Sequence, residues 1–211
     1  MPNKIRRWLF RQLQDNFIVY FLVVVVFAIG IVVGAMTIKI LDIDQKNDII
    51  LFLNSFFKTI DGNNLDSLPI LKQSIIDNFK TIGLIWLTGI IIIGLPIIPV
   101  VILFRGFALG FTVGFLVNEY GAQGFLFSIL GILPHNLFTI PGLVSIASTG
   151  MAFSINSIKE RRLNTKNKNL YFNIINYSVL ILLFSILVLA GCLVEAYISP
   201  IFLRLLSGYF K

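Results

Sequence analysis

The sequence predicts an all-α fold: a polytopic transmembrane helical bundle of about five spans, with amphipathic helices on its outer face. Three observations predict it. Of 211 residues 57% are apolar and 13% charged, with a mean hydropathy of +0.91, whereas soluble domains are about 45–50% apolar and about 25% charged. The apolar residues fall in blocks of the length a bilayer requires, roughly 20 residues for each helix. The 17 Lys and Arg stand between those blocks, where they set orientation, so the net charge of +7 reads as a topology signal and nucleic acid is not expected as a partner. Residues 1–211 form a single integral membrane domain, with no room for a soluble catalytic one.

The first span is expected at 17–38. Phe17 to Ile38 is a run of 22 residues without a charge, preceded by Lys4, Arg6, Arg7 and Arg11. A signal-peptide core is about 7–15 residues, so this reads as an uncleaved span, and its basic flank places the N-terminus in the cytoplasm. The second span is expected at 81–104, kinked by Pro96 and Pro99, whose missing N–H groups leave the carbonyls of Ile92 and Leu95 without helical partners. Arg105 then reads as a cytoplasmic anchor. Gly106, Gly110 and Gly114 come next at four-residue spacing and make a flat ridge for close helix packing, within the chain or between copies in a homo-oligomer.

The third span, 105–119, is short: Gly106 to Val117 is 12 residues, about 18 Å of helix against a core of about 30 Å. Two topologies compete for the stretch after it. In one, residues 121–133 lie at the outer face or dip into it and 137–156 return; in the other, 105–133 re-enter from the cytoplasm. The second would put Lys159, Arg161, Arg162, Lys166 and Lys168 outside, against the positive-inside bias, so 157–169 is expected as a cytoplasmic basic loop. The fifth span, 171–195, leaves the C-terminus outside.

The outer loop, 39–80, holds six of the ten acidic residues. Ile49, Ile50, Leu53, Phe56, Phe57 and Ile60 recur at three- and four-residue spacing and predict an amphipathic, interfacial helix. Leu68, Leu71, Ile75, Ile76 and Phe79 predict a second, with Asp66 or Ser67 as cap. These helices either rest on the lipid and the bundle or dock a partner protein. For docking the face is Phe52, Leu53, Phe56, Phe57 and Ile60.

No HExxH, GxSxG or Walker A motif is present, nor a close pair of acidic residues on a span, so catalytic residues are not expected. With a single histidine and a single cysteine, neither a disulfide nor a metal site is expected, and no cofactor is called for. The ionisable groups that remain at the edges of apolar segments are Arg105, Glu119, His135 and Glu195. On the five-span topology Glu119, His135 and Glu195 all reach the outer leaflet, either as an ion-paired cluster or as separate boundary residues that meet water.

Four ordered runs make the sequence more specific: GLPIIP (94–99), GFTVGFLVNEYG (110–121), ILPHNLFTIP (132–141) and EAYISP (195–200), with FLNSFF (52–57) in the outer loop. Together they resemble the stage II sporulation protein M family of endospore-forming bacteria. The resemblance implies a five-span protein of the mother-cell membrane at the sporulation septum. It also implies a non-enzymatic scaffold for engulfment, with stage II sporulation proteins D and P, which degrade peptidoglycan, as partners. More distant relatives carry proline-histidine-glycine followed by a glutamate; here Asn136 and Thr139 stand at the last two positions, so an ionisable role for that glutamate has no counterpart. The alternative is a small transporter or channel built on discontinuous helices around a midplane site. Mid-span residues that read as apolar or glycine disfavour it.

Overall fold

The computed structural model describes residues 14, 16–61, 67–91, 94–162 and 170–202, except the side chains of residues 54, 56–61, 161–162 and 170–171. These residues are helical almost throughout: α1 (Phe17–Thr37), α2 (Ile43–Asp61), α3 (Ser67–Ile90), α4 (Gly94–Phe127), α5 (Leu133–Arg162) and α6 (Leu170–Leu193). Three segments are long and apolar enough to cross a membrane: Phe17–Ile40, Gly94–Glu160 and Phe172–Phe202. α3 is not among them; its first half carries Lys72, Gln73, Asp77, Asn78 and Lys80.

Burial runs in the sense expected in lipid. Ile18, Leu182 and Phe104 are more than 60% exposed, while Ser148, Ser154, Thr139 and Thr149 are buried. With lipid as solvent, apolar side chains lose nothing by facing outward, and small and polar groups gather where helices meet. The interior is completed by Val23, Ile85, Ile98, Ile146 and Val188, none with any exposed surface.

Local chemistry sets the element boundaries. At the start of α2 the Gln45 side chain reaches back and accepts from the Asp42 N–H at 3.3 Å, one half of a capping box. The chain reverses at two glycines. Gly94 opens α4 so close to the end of α3 that a Cβ there would lie 2.8 Å from the Thr88 carbonyl oxygen. At Gly121, φ is +57°, a conformation other residues rarely adopt. The chain folds back so tightly there that a Cβ on Gly124 would overlap the Leu116 carbonyl.

Contacts give the directions of the helices. Gly30 meets Gly106, Gly34 meets Phe107 and Phe111, and Ala35 meets Gly114, so α1 and α4 run parallel. Gly142 meets Val188, and Gly191 meets Thr139, so α5 and α6 are antiparallel. Trp86 donates to Ser178 at 3.0 Å and Ser154 to the Gly89 carbonyl at 2.9 Å, which makes α3 antiparallel to α6 and parallel to α5. The five long helices therefore alternate in direction. Thr37, Ser67 and Tyr120 share one end with α2; Ile90, Gly94 and Arg162 share the other, from which the basic stretch continues.

Several sequence expectations change. Residues 81–104 are not one kinked span: α3 ends at Ile90 and α4 begins at Gly94. Pro96 falls in the first turn of α4, where an N–H is not needed. Only Pro99 stands inside the helix. Residues 105–119 are the continuation of α4, not a separate short span. Residues 121–133 neither lie flat nor form a separate dip: past the kink at Gly121 the last part of α4 descends beside its own first part, passes through a π-helical turn at Ser128–Ile132 and continues into α5. The outer loop is shorter than 39–80, because Leu68 to Phe79 form the first half of α3. Residues 157–162 extend α5, and the rest of the basic loop lies outside the described residues.

Candidate functional site

The first half of α3, the middle of α4, the start of α5 and the turn that follows α6 do not close against one another. Between them is a cavity of about 730 Å³ whose wall carries Ser74, Asn78, Arg105, His135, Asn136 and Glu195. Phe27, midway along α1, also lines it, and Asn78 is midway along α3. A guanidinium at that depth in a membrane helix requires hydrogen-bond partners. Arg105 Nη2 donates to Asn78 Oδ1 at 2.8 Å, and Asn78 Nδ2 donates to the Ser74 carbonyl at 2.9 Å and to Cys192 Sγ at 3.4 Å. One turn along α3, Ser74 Oγ donates to Glu195 Oε2 at 2.5 Å. Two neutral residues of α3 thus hold the cation and the carboxylate separately.

Both Glu195 and His135 come from positions where the helix is locally unusual. Glu195 lies within a second π-helical turn, Val194–Ile198, and His135 stands three residues beyond the first. In each case a proline, Pro134 or Pro200, stands two residues after the wide turn. A proline ring clashes with the carbonyl four residues before it, and widening the preceding turn relieves that clash.

Asp77 also lines the cavity but is already engaged, accepting from Gln73 Nε2 at 2.8 Å and pairing with Lys80 at 3.8 Å. Asn136 Nδ2 lies 3.1 Å from His135 Nε2 and donates to the Ile132 carbonyl at 2.9 Å. Thr139, at the position of the relatives' glutamate, is buried and donates to the His135 carbonyl at 3.0 Å.

The expected outer cluster is divided. His135 and Glu195 share the cavity wall, where the ring lies within electrostatic range of both Glu195 and Arg105. Glu119 lies elsewhere, near the end of α4, accepting from Asn118 Nδ2 at 2.7 Å. His135 does not begin a span at the outer leaflet, because helix descending from Gly121 through Ser128–Ile132 already leads into α5. Arg105 is not a boundary anchor but a partly buried group inside α4. Ser74 and Asn78 are not legible as site residues in the sequence: Ser74 falls in a segment that reads as outer loop, and Asn78 interrupts an amphipathic pattern without breaking it.

The glycine ridge packs within the chain. A Cβ on Gly106 would overlap the backbone of Phe27, one on Gly110 that of Ile31, and one on Gly114 would come within 2.6 Å of Ile38 Cδ1. Its counterpart on α1 is Gly30 and Gly34, a small-residue repeat of the same spacing that is plain in the sequence. Pro96 sits at the start of α4, and Pro99 one turn on. In the expected docking helix, Phe52 is 71% exposed and Leu53 half-buried, and the side chains of Phe56, Phe57 and Ile60 lie outside the described residues. Among the described residues, no group of three His, Cys, Asp or Glu could hold a metal ion.

Apolar helices turned outward around a charge-lined cavity define a multi-pass helical membrane protein. Its family comes from the sequence: the model of the family "Stage II sporulation protein M" matches residues 23–200, and the chain belongs to that family. No curated protein and no solved structure matches it.

Proposed function

We propose that the chain is a non-enzymatic scaffold that gathers peptidoglycan-degrading proteins, stage II sporulation proteins D and P, at the septal membrane of the mother cell during engulfment. The observation that carries this reading is family membership across residues 23–200. α2 supports it physically. This helix makes no extended contact with any other among the described residues, yet it carries exposed Leu51 and Phe52. The positive-inside rule puts the basic end of α5 in the cytoplasm and α2 on the opposite, extracytoplasmic side, with five crossings between them. An apolar helix face presented there suits a partner's apolar groove.

Purification of the tagged chain from sporulating cells tests the reading. Both hydrolases are expected to accompany the native protein, and Phe52→Asp combined with Phe57→Asp is expected to release them while insertion stays intact. Persistent co-purification of the variant would remove α2 as the docking element.

A second reading, a small transporter, gains from the cavity: Arg105 and Glu195 supply the ionisable groups, and the two π turns the irregular helix, that such sites use. Absence of both hydrolases from the native protein, together with solute flux in liposomes, would favour it over the scaffold.

A further inference from the structure

Of the three charged residues on the cavity wall, Arg105, Glu195 and Asp77, the first two do not neutralise each other. Arg105 and Glu195 form no ion pair, and each is tied instead to a neutral residue of α3, Asn78 or Ser74. Those residues are four apart, so about 6 Å along the helix axis separates their backbones. Charges held in so apolar a setting are costly unless they are balanced. Asp77 is paired with Lys80, which leaves, among the described residues, Arg105 and Glu195 as a cation and an anion without an ionic partner, so the wall is polarised along its length.

The complement of such a wall is a molecule with both an acidic group and an amine, not a simple anion or cation. The volume of about 730 Å³ is within the usual range for small-ligand sites. Ile70, Leu109 and Ile140 make the remaining wall apolar, and the rim is reached between α3 and α4 at Pro69, Ala108 and Thr112, all exposed. Exposed Gln73 and Asp77 on α3 stand at that opening, and exposed Phe104 lies one turn before Ala108 on α4, so the entrance is polar on one side and apolar on the other.

We propose that this cavity binds a phosphate-amine zwitterion, the chemistry of an ethanolamine phospholipid head group or of its free soluble counterpart. The Arg105 guanidinium takes the phosphate, since its planar fork matches phosphate oxygens. Glu195 takes the amine, which enters through the gap between α3 and α4. The site is independent of the scaffold reading and stands or falls without it.

The full-length protein, purified in detergent and freed of lipid, is titrated while its thermal unfolding is followed. The probes are phosphoethanolamine, dihexanoylphosphatidylethanolamine and, lacking the amine, dihexanoylphosphatidylglycerol. An amine-bearing probe is expected to stabilise the protein with an apparent affinity at least about tenfold above that of the glycerol lipid. Binding of phosphoethanolamine alone identifies a soluble ligand; a requirement for the acyl chains identifies a lipid. R105Q should weaken every probe, since all carry the phosphate, and E195Q should remove the preference for the amine while retaining an amide that can still bond Ser74. Should R105Q fail to fold, Thr112→Phe, at an exposed position on the rim, should block binding by filling the entrance. Equal binding of the glycerol lipid, no binding by any probe, or unchanged binding in E195Q would overturn the proposal.

Discussion

The two sides of this bundle are held together by different physics. On one side α1 and α4 run parallel with Gly30, Gly34, Gly106 and Gly110 at the crossing, and their backbones meet with nothing between them. On the other side α3 and α6 are joined through Ser74, Asn78, Trp86 and Tyr177, each hydrogen-bonded across the interface. In lipid no hydrophobic force draws helices together, so close packing and interhelical hydrogen bonds are the two means available. The first needs no polar side chain at its crossing. The second is built from such side chains, and the cavity lies there.

Three substitutions sharpen that contrast. Gly110→Leu has the largest expected effect, because the added side chain meets the Ile31 backbone and not a movable side chain. A loss of about 3 kcal/mol or more is expected, read as a large fall in melting temperature or failure to recover folded protein from membranes. Wild-type melting would show that the glycine crossing does not hold α1 to α4. Asn78→Leu comes next: it leaves the Arg105 guanidinium without its partner, at an expected cost of about 1.5–3 kcal/mol. A second substitution, Arg105→Met, should recover part of that loss, since an apolar pair can replace a buried charged one. If the double variant is no better than the single, the cluster is not a unit. Gly83→Ala should have the smallest effect, for nothing among the described residues lies within 4 Å of the new methyl group. Stabilisation of at most about 1 kcal/mol is expected from the better helix former, and destabilisation would mean that this face of α3 is covered in the membrane.

Composition and block length suffice for an all-helical membrane protein, since both record which solvent the surface meets. The amphipathic spacing from Ile49 to Ile60 places a helix there, which the structure begins at Ile43; an unpartnered helix keeps its periodicity undisturbed. The boundary of the second span is misplaced by the sequence because prolines at a helix start and prolines inside a helix look alike in an apolar run. That misplacement puts Arg105 at a membrane edge and hides the site. A polar residue is assigned a depth only after its helix has been assigned its ends. The ridge at Gly106, Gly110 and Gly114 is legible from spacing alone, but spacing does not name its partner, although Gly30 and Gly34 in α1 carry the same repeat.

The wide turn at Ser128–Ile132 stores slack. It holds one residue more than an ordinary turn, and each residue of an α-helix advances the side-chain direction by about 100°. Removing one residue from the wide turn would let it relax to regular geometry with everything from His135 to Arg162 still facing as it does, whereas removing one from the regular helix just beyond His135 would swing all that follows around the axis. A deletion inside Ser128–Ile132 should therefore spare the direction of the imidazole, and the same deletion one turn further on should break the register of the helix.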